Sequence, residues 1–363
     1  MLPASLYHPV YLLIVTFLTF YVMQMYNQPI LSNLNRNKTS NQILALLVCV
    51  FMIFFIGLRP LSGKYFVDMA NYYQSYNVML GDKFFFEKET ENLFFDNWIS
   101  WMASNYVDFS HVMIIFAVVY FGMMYVACRK LFPQDTLLAF IVYLAAFSTF
   151  SYGTNGMKAG MAASTFLVAI AYYDKLWISI PLALFTYTQH HSMSLVIASY
   201  LIVLFFKNTK YYFAGWLFCF LMSALHITFF QTLFAGFTDE GGAGYLLVDE
   251  ETTKVRIGFR PDFILYSAVP LYLGYLMLNK YKYQSDTYSF LLRLYIMTNS
   301  MWMLCMYAEF NNRIAYLSWF MYPFVLLYPV ISRERNQIQR KYFRWVVYGH
   351  LAFTLFMTFI YYR

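Results

Sequence analysis

The sequence predicts an all-α membrane protein, a polytopic helical bundle of about twelve transmembrane helices forming one domain over residues 1–363. Hydrophobic residues make up 61% of the chain and charged residues 12%, with a mean hydropathy of +0.50. That balance excludes an ordinary soluble domain. Apolar runs recur along the whole chain at the length needed to cross a hydrocarbon core of ~30 Å. The polar breaks between them alternate in charge, and the alternation orients the bundle.

In order, the spans run 8–26, 43–58, 110–128, 136–151, 156–173, 177–189, 192–206, 211–233, 262–279, 288–308, 314–330 and 344–361. No Lys or Arg precedes the first, so it lacks the charged start of a cleavable signal peptide and is expected to be a retained helix. Tyr172-Tyr173, Tyr211-Tyr212 and Tyr361-Tyr362 stand at span ends, where amphipathic rings favour the headgroup level. No internal repeat or low-complexity tract interrupts the series.

With an external N-terminus, fourteen of the 25 Lys and Arg fall in internal breaks, against four acids, Asp135, Asp174, Asp286 and Glu334. The external side holds the other fourteen acids and ten cations, and Arg293 lies within a span. This is the asymmetry of the positive-inside rule, and it turns both termini outward. The formal charge of +7 thus belongs to internal loops and asks for no nucleic-acid partner. Cys49, Cys128, Cys219 and Cys305 have no CxxC or Cys/His spacing for a metal and are expected as free thiols.

Two external loops, 59–109 and 234–261, exceed what a turn between helices requires. In the first, Phe94, Phe95, Trp98, Ile99, Trp101, Met102 and Tyr106 recur at helical spacing opposite Asp96, Asn97, Ser100 and Ser104. Residues 90–106 are therefore expected to form an amphipathic helix, either lying in the membrane interface or packed on the bundle. The second loop mixes Gly241, Gly242 and Gly244 with charged residues, a composition compatible with a mobile cover. No strand precedes its glycines and no Gly-Lys-Ser/Thr follows, so it is not a phosphate loop.

An ionisable side chain at membrane depth is expensive and a functional candidate by default. Arg59 ends the second span, with Lys64, Asp68, Tyr72 and Tyr73 following. Asn155-Gly-Met-Lys158 opens the fifth. His190-His191 separates two spans, and Glu309-Phe-Asn-Asn-Arg313 separates two others, its charges four apart at ion-pair spacing. Each has a structural alternative: an interfacial salt bridge for Glu309 and Arg313, a hydrogen-bonded turn for the histidines, snorkelling to headgroups for Arg59 and Lys158. What favours chemistry is convergence. Arg59, Lys158, Arg256, Arg260 and Arg313 share the external face with His190, His191, Asp68 and Glu309. Cations suit a pyrophosphate and the charge that develops as it leaves. An attacking hydroxyl needs a carboxylate or His as base.

At these residues the chain resembles the EpsG branch of Wzy-like exopolysaccharide and O-antigen polymerases. Arg59, Gly63, Asp68 and Tyr72 or Tyr73 match its early element. Asn155 and Lys158, before Gly160 and Ala162, match a second, although the basic residue there is commonly Arg, whose bidentate fork Lys lacks. His190-His191-Ser192 matches a His-x-Ser element, and Glu309, Arg313 and Tyr316 match a late one. The resemblance covers most of residues 43–330.

It implies an integral membrane glycosyltransferase, similar in fold to lipid-donor enzymes of the GT-C type. Its substrate would be undecaprenyl-pyrophosphate-linked oligosaccharide, joined repeat by repeat on the external face of the bacterial inner membrane. A single displacement would use Glu309, His191 or Asp68 as base. Arg59, Lys158, Arg313, Arg260 and Arg256 would hold pyrophosphate, and Asn155, His190 and Tyr72 other parts of the substrate. No cofactor or metal is implied, and chelators are expected to leave activity intact. Expected partners are the bilayer, a chain-length regulator and a flippase. Competing readings are a transporter or flippase for the same lipid-linked sugar, which often shows paired halves or broken helices in corresponding positions, a symmetry this sequence lacks, and a membrane acyltransferase.

Overall fold

The computed structural model describes residues 2–27, 38–235, 258–308, 311–331 and 337–361, and the described residues form helices without a strand. They divide into two compact units, Met1–His190 with Arg333–Arg363, and His191–Ser332. Five described helices are long and apolar enough to cross a membrane: Ala4–Tyr26, Lys38–Gly57, Phe109–Leu131, Pro261–Lys280 and Ile314–Ile331. A bent pair, Thr136–Leu144 with Phe147–Thr154, makes a sixth if it is one span. The described helices do not establish the twelve spans drawn from hydropathy. Several apolar runs fold as helices of 13 to 16 residues, about 20–24 Å long.

In the first unit, α1 (Ala4–Asn27) buries Tyr7, Tyr11, Val15 and Thr19 at four-residue spacing and exposes Leu13, Phe17 and Phe20. The next helix, α2 (Lys38–Gly57), likewise buries Asn41, Ala45, Cys49, Met52 and Ile56. The exposed stripes are apolar, as a lipid-facing surface requires. Two short helices, α3 (Val67–Val78) and α4 (Leu93–Ser104), occupy the segment 59–109 between α2 and the next long helix. α4 packs on α3 and on a later helix, burying Phe95, Ile99, Met102 and Ala103. Asn97, expected on its polar face, is buried instead and donates to the Glu87 and Leu93 carbonyls, each at 2.8 Å. Of the two expectations for this helix, the packed one describes the structure.

α5 (Phe109–Leu131) lies against α2 so closely that a Cβ on Gly57 would stand 3.1 Å from the Ile114 Cα. α6 (Thr136–Leu144) is buried along its whole length, and α7 (Phe147–Thr154) leaves it at 74°. A break between buried helices leaves carbonyls that need other donors. Hydroxyls take three of them. Thr149 donates to the Tyr143 carbonyl, Tyr11 to that of Leu144, and Thr354 of α17 (Gln337–Phe356) to that of Ala145, each at 2.7 Å.

α8 (Met157–Ala171) follows α7 after two residues. Gly160 allows the close corner: a Cβ there would meet the Tyr152 carbonyl oxygen at 2.9 Å. α8 and α9 (Leu176–Gln189) form a packed hairpin with arms of 15 and 14 residues. Equal arms bring the start of α8 level with the end of α9.

The second unit contains α10 (Met193–Phe205), α11 (Thr209–Ala224), α12 (Phe229–Ala235), α13 (Pro261–Tyr275), α14 (Asp286–Leu304), α15 (Asn311–Trp319) and α16 (Tyr322–Ile331). α10, α11, α13, α15 and α16 all pack on α14. Some of its buried polar groups are paired. Trp216 donates to Asn299 Oδ1 at 2.8 Å, and Asn299 Nδ2 donates to Ser318 Oγ at 3.1 Å. Trp319 donates to Ser267 Oγ at 2.8 Å. The four cysteines are unpaired and buried.

Candidate functional site

Arg59, two residues beyond α2, is only 2% exposed. Nη1 donates to the Ile56 carbonyl at 2.8 Å and Nη2 to the Thr154 carbonyl at 2.9 Å. The guanidinium thus caps the C-termini of α2 and α7, where both helix dipoles are negative. The Phe66 ring lies 5.7 Å away. Nε has no hydrogen-bond partner among the described residues. Burial draws the Arg59 pKa down to about 9, which leaves it charged at neutral pH. Thr154 is the last residue of α7, so Arg59 holds the backbone immediately before Asn155.

Asn155 caps α7, and its Oδ1 is buried with no hydrogen-bond partner among the described residues. Lys158 follows in the first turn of α8, whose N-cap residue, Gly156, makes no side-chain cap. The first N–H groups of such a helix lack intrahelical acceptors and favour an anion. Lys158 Nζ sits 5.9 Å from the Phe95 ring centroid. The ion pairs among the described residues are Lys130–Asp174 and Arg260–Asp262, so Lys158 has no carboxylate there.

Phe95 joins three helices. Tyr72 of α3 meets it edge-on at 5.9 Å, as does Trp98 one turn along α4. Asp68 is half-buried in the first turn of α3, four residues before Tyr72 and on the same helix face. α4 reaches α9 through Phe94, whose ring is T-shaped to Phe185 at 4.9 Å. One turn beyond Phe185 is Gln189, 2% exposed, with a buried Oε1 that has no partner among the described residues. His190 is the half-buried residue that ends α9. The structure therefore joins Arg59 to the residue before Asn155, and Lys158 to Tyr72 through Phe95, with Asp68 on the helix of Tyr72 and His190 at the end of α9 in the same unit.

The division between the units falls after His190, leaving His191 half-buried at the start of the second. Arg260 precedes α13 with its fork closed on Asp262, Nε and Nη2 donating at 3.0 and 2.7 Å. Its charge is thereby neutralised locally. Glu309 and Arg256 lie outside the described residues. Arg313 is in the first turn of α15, and its side chain lies outside the description.

Sequence reasoning missed Phe95 and Gln189 as members of the site. Phe95 read as one of a stripe of aromatics, and nothing local sets it apart from Phe94. Gln189 stands directly before the histidines, and a polar residue closing an apolar span was the available signal.

Spanning helices, one broken helix and polar groups gathered at its end define an integral membrane protein of helical-bundle class. The chain belongs to the EpsG family, whose sequence model matches residues 42–363. Membership points to a polysaccharide-polymerase-like function. No curated protein and no solved structure matches the chain.

Proposed function

We propose that the chain is a membrane glycosyltransferase joining undecaprenyl-pyrophosphate-linked oligosaccharide repeat units into a capsular, exopolysaccharide or O-antigen chain. It works on the external face of the bacterial inner membrane, with both termini on that side. Lys158 carries the reading. A cation without a carboxylate among the described residues stands where a helix N-terminus already favours an anion.

The acceptor hydroxyl attacks the anomeric carbon of the growing chain. The bond from that carbon to the pyrophosphate oxygen breaks as the glycosidic bond forms, and the lipid pyrophosphate leaves with its charge held by Lys158. Asp68 takes the hydroxyl proton. Among the candidate bases it is the one that shares a helix face with Tyr72. Arg59, whose Nη atoms are engaged with two carbonyls, serves by fixing the Thr154–Lys158 corner. With its turn at the internal surface, a hairpin of about 22 Å ends short of a ~30 Å core. That recesses the site below the headgroups.

The test is to incubate the full chain in nanodiscs with its lipid-linked repeat unit and resolve products on a gel. Wild type gives a ladder, Lys158→Ala loses at least about 100-fold of it, and Lys158→Arg keeps part. Arg313→Ala tests the late family element in parallel. Bound but unextended substrate with wild type would favour the transporter reading, which the 74° break between α6 and α7 supports, since discontinuous helices line many transport sites.

A further inference from the structure

The open end of the α8–α9 hairpin has two kinds of unmet hydrogen-bonding demand. One is for acceptors, at Arg59 Nε and Lys158. The other is for donors, at Asn155 Oδ1 and Gln189 Oε1, both buried and without partners among the described residues. Buried polar groups of folded proteins are almost always satisfied, and here two orphan oxygens, one just before the first arm of the hairpin and one closing the second, offer the acceptors that a ligand's hydroxyls would fill. A pyrophosphate ester near neutral pH is nearly all acceptor and meets only the first demand. A sugar ring, with hydroxyls around its rim, meets the second.

The neighbouring surface fits the rest of such a ring. Trp98 and Tyr72 are half-buried, both set edge-on against Phe95. Aromatic faces accept the apolar C–H face of a pyranose, while the amides read its hydroxyls.

We propose that this end of the hairpin is a saccharide subsite, with Asn155 and Gln189 accepting from hydroxyls and Trp98 and Tyr72 packing on the ring. The inference rests on the reading of the chain as acting on lipid-linked sugar, and it assigns the sugar and the pyrophosphate to different residues.

The experiment uses the full chain in nanodiscs and two separate probes. One is a panel of methyl pyranosides (glucoside, galactoside, mannoside, rhamnoside and N-acetylglucosaminide), the other inorganic pyrophosphate. Binding is read from the rise in unfolding temperature with ligand concentration. At least one glycoside should stabilise wild type. Gln189→Met matches the side-chain volume and removes a buried unsatisfied oxygen, so it should unfold no earlier than wild type. It should bind that glycoside about tenfold more weakly and bind pyrophosphate unchanged. Lys158→Ala should show the opposite pattern. The subsite is refuted if no glycoside in the panel shifts wild type, if Gln189→Met binds it equally well, or if that variant unfolds earlier. Failure of the pyrophosphate arm alone would count against the assignment of Lys158 and leave the subsite standing.

Discussion

Each unit contains a buried arginine, and the two differ in what surrounds them. Arg293 is 7% exposed in α14, and its Nη1 donates to the Lys207 carbonyl just beyond α10 at 3.0 Å. Elsewhere in the second unit several polar groups close on one another: Trp216 to Asn299 to Ser318, Trp319 to Ser267, Arg260 to Asp262. Trp302 Nε1 and the Tyr288 hydroxyl, which lack partners among the described residues, are single aromatic donors within that packing. Arg59 also caps helix ends. It stands, however, beside a corner where Asn155, Lys158 and Gln189 keep hydrogen-bonding capacity in hand. Burial of a charge in a membrane protein marks a structural requirement in both places. Function is marked by the capacity left over, which separates the two.

The comparison breaks most readily at the arginines. Arg59→Ala orphans the carbonyls of Ile56 and Thr154 and leaves a cavity, a loss of about 3–4 kcal/mol from buried polar groups and missing contacts. Arg293→Ala orphans the Lys207 carbonyl and should destabilise the fold by at least about 1 kcal/mol. Thermal unfolding in nanodiscs measures both. If Arg59→Ala unfolded like wild type yet bound no pyrophosphate, Arg59 would be a ligand residue, as the family resemblance first suggested.

The membrane class was legible in the sequence, and so were most residues of the candidate site by type, because hydropathy and charge are local properties. The helix break at Ala145-Ala146 was not legible. The run from Thr136 to Ser151 is continuous in hydropathy, and the hydroxyls that make the break tolerable come from Tyr11 and Thr354, distant in the chain. The same limit applies to Arg59, whose acceptor Thr154 is 95 residues away. Arg260 is the opposite case, because Asp262, only two residues on, closes its fork locally. Convergence on one side of a membrane is a weak constraint, and a salt bridge closed locally overrides it.

A smaller effect sharpens the role of the corner. At Gly160 a Cβ would stand 2.9 Å from the Tyr152 backbone oxygen, whereas at Gly122 of α5 it would meet nothing within 4 Å. Gly160→Ala should therefore cost about 2 kcal/mol by forcing α8 away from α7. Gly122→Ala should be neutral or stabilise by up to about 1 kcal/mol through helix propensity. Because Lys158 is carried by the displaced turn, Gly160→Ala should also lower polymer yield per folded molecule. Equal stability of the two variants would mean the corner is loosely packed.

The smallest effect lies at the start of α5. Asp108 is the N-cap, and its carboxylate accepts from the Ser110 N–H at 2.7 Å. The hydrogen bonds with the Ser110 side chain and backbone hold its pKa below the usual carboxylate value. A depressed carboxylate pKa adds stability that is full above the unfolded-state value and is lost as pH falls through the folded one. Wild type should thus lose a small increment, at most about 1 kcal/mol for a whole cap, as the solution is acidified below about pH 4. Asp108→Asn keeps a capping oxygen and removes the titration, so its unfolding temperature should lie slightly below wild type at pH 7 and converge with it in acid. A gap that persisted at low pH would assign the stabilisation to geometry alone, leaving charge with no part in it.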